Sequence, residues 1–480
     1  MPLLEARIAA LARQRATAVS LRDLYQYGHR PSPRVRLQSA IFLQRELPIR
    51  MAQRIEELRT LPFGLKHSKP ICDVTAWYSS FIESLIEMPP LASGADEERF
   101  TAAVETMLQT PSLVEVMLSS AVLQSKGSGG GAGAESGAEG RRRREQRAFM
   151  QSILNRFFTA RIGLRFLMEH HIASGVDQAE GWSGIIQANF CPTKVIRAAA
   201  EDATFLCDEE FGESPEVVVR MEEEEDAPSS TRNSRLTGVP SHMHYILLEL
   251  LKNAMRATAT RHEERGEDGG DGEDMPPITV TASFGKDSLG VRISDEGGGL
   301  SLTDSSRCWR WAHTTAPVPL IEIEGAASSG TGSQPPQQLR RSALAGYGMG
   351  LPLSRLHAQY LGGRLDLRSL EGHGTDCFLH LPRLGAACET LPAMVRLSPS
   401  ASASTLEEGE EGAGAGAGAG GGGGGGEGGV VKGEGGMGGS QEPAAEHAQY
   451  SQYSLGEKLS EYEHAVLSEK LAEIRQGAEP

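Results

Sequence analysis

ELLKNAMRAT (Glu249–Thr258) is the stretch of sequence that decides the fold. It lies in an amphipathic run that begins near Ser241, so we expect a helix with Glu249 and Asn253 one turn apart on the same face. Arg256 lies three residues after Asn253. An Asn side-chain oxygen is a suitable ligand for Mg²⁺, which takes few protein ligands, and a nearby carboxylate can deprotonate a hydroxyl group. Helices with Glu and Asn on one face are common, so this segment is informative only in combination with other motifs of the chain.

The segment DEGGG (Asp295–Gly299) comes directly after a predicted strand. An Asp at a strand end points a carboxylate into a pocket, where it can accept a hydrogen bond from the exocyclic amine of adenine, a donor that guanine lacks at that position. Gly297 and Gly299 indicate backbone that bends sharply or approaches a flat ligand closely. A plain glycine-rich turn is the alternative for this segment taken alone.

A second glycine-rich loop, GYGMGLPLSR (residues 346–355), runs straight into a predicted helix. The first N–H groups and the positive dipole end of such a helix are suited to phosphates. We therefore expect the whole loop to contact a nucleotide: Gly346, Tyr347, Gly348, Met349, Gly350 and Leu351. The pattern differs from the dinucleotide fingerprint, and the sequence contains neither a P-loop nor the V-A-I-K, H-R-D and D-F-G set of the common protein kinases.

Strands and helices surround these motifs in a fixed order. The segments Ile278–Phe284, Leu289–Ser294, Arg364–Leu370 and Thr375–Leu381 alternate apolar and polar residues and predict strands, and Thr193–Phe211, Ser241–Arg265 and Leu351–Leu361 predict helices. An Asn-bearing helix, a strand, Asp-x-Gly-x-Gly, a long loop, a glycine-rich loop into a helix and a hairpin with GTD (Gly374–Asp376) resemble the Bergerat nucleotide-binding fold. Histidine kinases, gyrase, the mismatch-repair ATPase and a heat-shock chaperone share that fold, an α/β sandwich.

The preceding part of the chain, residues 20–180, is helical in pattern. Arg36–Leu61 carries an apolar stripe, and Pro48 within it predicts a kink; the stripe consists of Ile41, Leu47, Met51, Ile55 and Leu58. Further helices are predicted over Thr75–Met88, Glu97–Leu123 and Arg147–Ser174. The fold class is therefore α+β: a four-helix bundle (20–180) followed by an ATP-binding α/β sandwich (185–383).

Glycine-rich and acidic tracts interrupt both domains. They predict disordered insertions at 126–140, 263–275 and 325–342 and a largely disordered tail at 384–480, with a helix at 455–476. Residues 1–19 fit a short mitochondrial presequence and an ordinary first helix equally well. The net charge of −16 argues against nucleic-acid binding, and no apolar run is long enough to predict a membrane span. The six cysteines lack the spacing of a zinc site.

Several segments together resemble one family, the mitochondrial protein kinases that act on pyruvate dehydrogenase and branched-chain 2-oxo-acid dehydrogenase. They are ELLKNAMRAT, ISDEGGGL, HTTAPVP, GYGMGLPLSRLHAQYLGG and LEGHGTD in the nucleotide domain, and LQRELPIRMAQRI, LPF and LNRFFTARIGLRFLMEHH in the bundle. The resemblance runs from about Val19 to Arg383. It implies an ATP- and Mg²⁺-dependent serine kinase that inactivates the decarboxylase α subunit of such a complex in the mitochondrial matrix.

The resemblance assigns roles to individual residues. Glu249 corresponds to the general base, Asn253 to the Mg²⁺ ligand and Asp295 to the residue that holds the adenine amine. The expected nucleotide contacts also include Arg256, Gly297, Gly299, Thr314, Thr315, the loop from Gly346 to Leu351, and Thr375. Because the family phosphorylates serine directly, His170 and His171 are interpreted as satisfied helix-end residues rather than phosphoacceptors.

The resemblance also implies partners: the α subunit as substrate, the lipoyl domain of the acyltransferase core as docking site, and a second copy in a homodimer. Tyr245, where some pyruvate dehydrogenase kinases have His, favours the branched-chain branch. The helix at Pro111–Leu123 lacks a His found in relatives, and the C-terminal Asp-Trp pair used in dimer cross-over is missing. Two alternatives stay open, a Bergerat-fold histidine kinase and a non-catalytic ATP-binding scaffold.

Overall fold

A computed structural model describes the chain over residues 2–29, 31–109, 113–127, 138–176, 179–222, 236–267, 274–285, 288–315, 348–360, 362–382, 389 and 391–392. The helices are α1 (Pro2–Ala12), α2 (Leu21–Gly28), α3 (Pro33–Arg59), α4 (Lys69–Glu87), α5 (Gly94–Gln109), α6 (Leu113–Gly127), α7 (Ala138–Ala173), α8 (Pro192–Phe211), α9 (Pro240–Glu267), α10 (Leu302–Ser305) and α11 (Gly350–Tyr360). The strands are β1 (Trp182–Ser183), β2 (Ile186–Phe190), β3 (Val217–Glu222), β4 (Leu236–Gly238), β5 (Ile278–Phe284), β6 (Ser288–Asp295), β7 (Arg364–Leu370) and β8 (Gly374–Pro382).

Helix α3 is the central helix of the bundle and packs against α1, α4, α5 and α7. Its N-terminus is capped by Ser32, whose Oγ accepts from the N–H of Val35, and proline occupies the first turn. The predicted stripe is buried, apart from Ile41, which is exposed. The helix continues past Pro48, which the sequence predicted as a kink, as one element to Arg59.

The predicted helix Glu97–Leu123 is wrong in extent, because the structure has two helices there, α5 and α6. Pro111 lies between them and cannot donate the backbone hydrogen bond that a continuous helix needs. The predicted insertion 126–140 is also too wide. Helix α6 extends to Gly127 and α7 already begins at Ala138, so that only 128–137 fall outside the described residues.

The N-terminal segment packs as a helix of the bundle. Ile8 and Ala12 of α1 are buried in the same core as α3, and the N–H of Thr17 donates to Glu46 at 2.7 Å. These contacts favour the first-helix interpretation of residues 1–19. The predicted C-terminal helix 455–476 lies outside the described residues.

The second domain is a five-stranded sheet in the order β3-β5-β6-β8-β7, with α8, α9 and α11 packed on it. The four predicted strands and three predicted helices are confirmed within two residues at their ends. Strand β3 was missed; it pairs in parallel with β5 at the sheet edge. A small sheet, β1-β2-β4, adjoins α9. Alternate side chains of the strands, such as Val280, Val291 and Leu379, fill the core beneath the helices.

Several side-chain contacts join the nucleotide domain to the bundle, among them Phe166 of α7 with Tyr360 of α11, whose ring centroids are 5.5 Å apart. Trp311 stacks on Phe158 of α7 with ring centroids 4.5 Å apart, and its indole N–H donates to Asn155 Oδ1 at 2.7 Å. Glu389, which follows the last strand, is buried against Arg50 of α3, whose Nη1 and Nη2 lie 2.5 and 2.9 Å from its carboxylate oxygens. No helix in the described part of the chain has the length and apolar character of a membrane span.

Candidate functional site

A single cleft brings the sequence motifs together. It lies between α9, the ends of β6 and β8, and the start of α11, with an empty volume of about 1070 Å³ counted to its open mouth. The predicted site residues that line it are Glu249, Asn253, Arg256, Asp295, Gly299, Thr314, Thr315, Gly348, Gly350, Leu351 and Thr375. The polar side chains that line it converge from four separate segments, which is typical of a ligand site.

Asp295 ends strand β6 at one side of the cleft. Its Oδ1 accepts from the N–H groups of Gly297 at 3.0 Å and of Thr375 at 3.2 Å, which fixes the carboxylate orientation and leaves Oδ2 for a ligand. Burial raises the pKa of Asp295 to about 6, the neighbouring Asp376 adds to the rise, and the two N–H groups oppose it. A buried carboxylate with one committed oxygen is suited to accept from an amine of a flat base.

The glycines after Asp295 are required by close approaches of the backbone. A Cβ on Gly297 would lie 2.5 Å from that of Ala257 on α9, and one on Gly299 would lie 2.2 Å from the carbonyl oxygen of Leu370. Gly299 also has a φ of +69°, in the left-handed region that favours glycine. Gly297 therefore packs against α9 and orients Asp295 through its N–H, and its predicted contact with the nucleotide stays a prediction.

Glu249 and Asn253 lie at the opposite end of the cleft, beside the start of α11. The amide nitrogen of Asn253 donates to the carbonyl of Glu249 at 2.8 Å, so its side-chain oxygen is the atom available to a cation. Lys252 Nζ is 2.9 Å from Glu249 Oε1. Glu249 Oε2 lies against Gly350, where a Cβ would come within 2.2 Å of it. The glycine at the start of α11 thus makes room for the carboxylate.

A third wall is formed by the residues after α10. Thr314 and Thr315 line the cleft immediately after Trp311, which is anchored on the bundle. The N–H of Ala312 donates to the carbonyl of Gly348 at 3.0 Å, which joins the two ends of the segment 316–347. Gly348 has a φ of +69° and lies too close to the backbone of His313 for any Cβ.

Three further predicted residues, Gly346, Tyr347 and Met349, belong to the loop before α11. Gly346 and Tyr347 lie outside the described residues. The side chain of Met349 is buried in the bundle core, so a contact of this residue with the nucleotide would have to come from its backbone and stays a prediction. Arg256 lines the cleft, burial lowers its pKa, and its Nε has no hydrogen-bond partner among the described residues.

Sequence reasoning missed part of the lining. The apolar floor comes from Leu250, Ala254, Ala257, Ile293, Leu300, Leu367 and Cys377, and Asp304, Cys308, His313 and Pro352 complete the wall. The inward members of the strand alternation could have identified Ile293, Leu367 and Cys377. The loop residues carried no comparable signal.

His170 and His171 have the environment of structural residues. Burial lowers the pKa of each to about 4, so both are neutral near pH 7. His170 Nε2 is 3.2 Å from the carbonyl of Leu24, and His171 lies 3.1 Å from both Ser39 Oγ and Thr101 Oγ1. Both are buried in the bundle away from the cleft lining.

A cation in this cleft would have few protein ligands. No group of three or more His, Cys, Asp or Glu side chains suited to a metal occurs among the described residues. Mg²⁺ needs few protein ligands, because it keeps most of its waters and is completed by phosphate oxygens. The amide oxygen of Asn253 is the group that fits it.

Comparison with known proteins gives two family matches. Residues 18–187 match the family described as mitochondrial branched-chain alpha-ketoacid dehydrogenase kinase, and residues 238–385 match the histidine kinase-, DNA gyrase B- and HSP90-like ATPases. The chain is 34% identical to the mitochondrial pyruvate dehydrogenase (acetyl-transferring) kinase of Arabidopsis thaliana over 377 residues, 78% of this chain and 93% of the relative. The corresponding Drosophila melanogaster kinase is 30% identical over 430 residues, 85% of this chain and 96% of the relative. Human isozyme 1 is 32% identical over 364 residues, 74% and 75% of the two chains.

Proposed function

This chain belongs to the family of mitochondrial kinases that comprises the pyruvate dehydrogenase kinases and the branched-chain alpha-ketoacid dehydrogenase kinases, and we propose that it phosphorylates a serine on the decarboxylase α subunit of such a complex. The chain is an ATP-binding protein kinase of this type. Phosphorylation inactivates the decarboxylase. The kinase and its substrate complex are both located in the mitochondrial matrix.

The observation that carries the proposal is that Glu249, Asn253 and Asp295 line one cleft. Glu249 lies against Gly350, and the loop after Asp295 packs on Ala257, two turns further along α9. An adenine on Asp295 would direct its phosphates toward the start of α11, whose first turn offers the N–H groups of Gly350 and Leu351. Glu249 then lies beside the terminal phosphate. A scaffold that only binds ATP has no use for a carboxylate at that position.

The proposed roles follow from these positions. Asp295 Oδ2 accepts from the adenine amine, Thr375 lies beside it, and Arg256 adds positive charge to the wall. The backbone from Gly348 to Leu351 faces the phosphates, and Thr314 and Thr315 contact the nucleotide from the third wall. Mg²⁺ held by Asn253 would neutralise charge on the phosphates.

Glu249 is proposed as the general base. It accepts the proton of the serine hydroxyl as the serine oxygen forms a bond to the γ-phosphorus and the bond to the β-phosphate oxygen breaks, which releases ADP. Lys252 holds one oxygen of the carboxylate and Gly350 leaves room for the other. The carboxylate is thereby oriented before a substrate arrives.

The test is incubation of the full chain with γ-labelled ATP and each purified complex in turn. We expect acid-stable phosphoserine on the α subunit, loss of decarboxylase activity, and no label with Glu249→Gln. Acid-labile label on the chain itself would instead identify a histidine kinase, and ATP binding without any transfer would identify a scaffold.

The two complexes are compared at equal concentration. Tyr245, partly buried one turn before Glu249, favours the branched-chain complex, as does the description of the family matched by residues 18–187. The Arabidopsis, Drosophila and human relatives are pyruvate dehydrogenase kinases. We propose the branched-chain α subunit as the preferred acceptor, and a higher kcat/KM on the pyruvate complex would reverse that assignment.

Docking on a lipoyl domain and homodimer formation are further parts of the proposal, and both rest on family likeness rather than on chemistry. A docked kinase meets its substrate at an effective concentration of about 1 mM for a short tether. Titration of the full chain with lipoylated and unlipoylated domains by calorimetry should give heat with the lipoylated form, together with increased activity. Sedimentation should give twice the monomer mass. Negligible heat with both domains would remove the docking site and leave the ATP site unaffected.

A further inference from the structure

Arg261 lies on α9, two turns beyond Asn253, and its guanidinium faces the backbone around the adenine end of the cleft. Nη1 donates to the carbonyl oxygens of Glu296 and His373, both at 2.7 Å, and Nη2 donates to that of Gly372 at 2.8 Å. One side chain therefore joins three segments: helix α9, the glycine loop after β6, and the turn between β7 and β8.

The loop and the turn are otherwise joined by few bonds. The N–H of Gly298 donates to the carbonyl of His373 at 3.0 Å, and the N–H of Gly372 donates to that of Gly298 at 2.7 Å. Residues 297–299 are all glycine, so they have no side chains to restrain them and a large conformational freedom to lose. A guanidinium is well suited to hold such backbone, because its N–H donors are fixed in one plane and lose little freedom when they bind several carbonyl oxygens.

The orientation of Asp295 depends on the same junction. Its Oδ1 accepts one N–H from the loop, that of Gly297, and one from β8, that of Thr375. Thr375 is held opposite Asp295 by the β6–β8 pairing, whereas the position of the Gly297 N–H depends on the spacing between the loop and the turn. If the spacing changes, the carboxylate can rotate and Oδ2 no longer faces the base.

We propose that Arg261 is a positioning residue for adenine recognition, acting through Asp295 by clamping the glycine loop to the β7–β8 turn. The proposal rests on the proposed nucleotide site. It adds that adenine selectivity depends on a residue outside the cleft lining. Because Glu249, Asn253 and Arg261 all lie on α9, one helix sets both the phosphate end and the adenine end of the site.

Arg261→Ala and Arg261→Lys test the clamp, and Arg265→Ala is the matched control, an exposed arginine one turn further along the same helix. Displacement of a fluorescent ATP analogue gives the affinities of ATP, GTP and Mg-tripolyphosphate for each folded variant. For Arg261→Ala we expect about tenfold weaker ATP binding, the order of one hydrogen bond to a charged group. GTP and tripolyphosphate binding should stay unchanged, because neither depends on Asp295.

Arg261→Lys should recover part of the ATP affinity, since an ammonium can reach some but not all of the three carbonyls. Arg265→Ala should match the wild type. An unchanged ratio of ATP to GTP affinity in Arg261→Ala overturns the clamp, and so does an equal loss for all three ligands, which indicates a general structural role. Wild-type protein that binds no ATP would overturn the nucleotide site itself, a result distinct from either.

Discussion

Replacing Asp295 by asparagine should make the nucleotide-free protein more stable. Burial raises the pKa of Asp295 from 3.8 to about 6, which means that the native state disfavours the ionised carboxylate. One pKa unit corresponds to about 1.4 kcal/mol, so ionisation costs the native state about 3 kcal/mol at pH 8. Asparagine has nearly the same shape and no charge. The free energy of unfolding should therefore rise by up to that amount.

The sign and the pH window follow from proton linkage. Below pH 3.8 the carboxyl is protonated in both the native and the unfolded chain, and the variant gains nothing. Between 3.8 and about 6 the native state keeps its proton longer than the unfolded chain, so wild-type stability falls as the pH rises. The advantage of the variant should be about 1.5 kcal/mol at pH 5 and about 3 kcal/mol at pH 8.

The same change should weaken ATP binding. The asparagine oxygen is drawn to the N–H groups of Gly297 and Thr375, which turns its NH₂ group, a donor, toward the adenine amine, another donor. We expect a loss of about 1.5–3 kcal/mol in ATP binding, with GTP binding little changed.

Urea unfolding at pH 5 and pH 8, together with calorimetric titration of ATP and GTP, measures both effects. The control for loss of one negative charge is Asp366→Asn. Asp366 lies on the edge strand β7, and its carboxylate pairs with Arg364. The control should change stability by less than about 1 kcal/mol at either pH. The reasoning is refuted if Asp295→Asn is less stable than the wild type at pH 8, because the carboxylate would then support the fold.

Three further substitutions test the other end of the cleft. Glu249→Gln should reduce the rate of transfer by roughly 10²–10⁴ and leave ATP affinity within a few-fold, since a base acts on the acceptor rather than the nucleotide; loss of binding as well would make Glu249 structural. Asn253→Ala should abolish the increase in ATP affinity on adding Mg²⁺, which Asn253→Asp retains; an undiminished Mg²⁺ effect in the alanine variant contradicts the ligand role. Gly350→Ala should lower kcat, because the added Cβ would lie 2.2 Å from Glu249 Oε2 and displace it. Gly94→Ala at the start of α5 is the control, because a Cβ there meets open space and kcat should not change. Equal kcat in both variants would show that the carboxylate moves without consequence.

The sequence was sufficient for most of the nucleotide domain because its elements are strongly periodic. Strands β5 to β8 alternate clearly, and α9 and α11 carry both a motif and an apolar face, so their positions could be read directly. Strand β3 was missed because the apolar residues of VVVRME form a short continuous run before an acidic stretch and do not alternate with polar ones, although Gly212 and Pro215 precede them. The predicted single helix over α5 and α6 failed because apolar spacing continues across Pro111 although the backbone hydrogen bonds cannot.

Within the site, the residues that could be predicted are those whose chemistry is visible in a short motif. Asp295 and Asn253 are of this kind. Met349 lies between two glycines of such a motif yet points into the bundle core, because the direction of a side chain depends on the backbone path, which spacing alone does not give. Arg261 resembles any solvated arginine near a helix end, and its three carbonyl partners are 35, 111 and 112 residues away in sequence. Only the folded chain brings them together.

The pairing of Arg50 with Glu389 has a consequence for the order of folding. The two residues are 339 positions apart, and a chain that emerges N-terminus first, from a ribosome or an import channel, presents the guanidinium long before its partner. Until then Glu46 is the carboxylate that pairs with Arg50, beside the neutral carbonyl of Thr17, and an incompletely paired buried charge is costly. Helix α3 can therefore close its core fully only after the whole nucleotide domain has followed. Such a long loop makes the last step of assembly slow, and the bundle is the part of the chain that stays exposed to chaperones and proteases for longest.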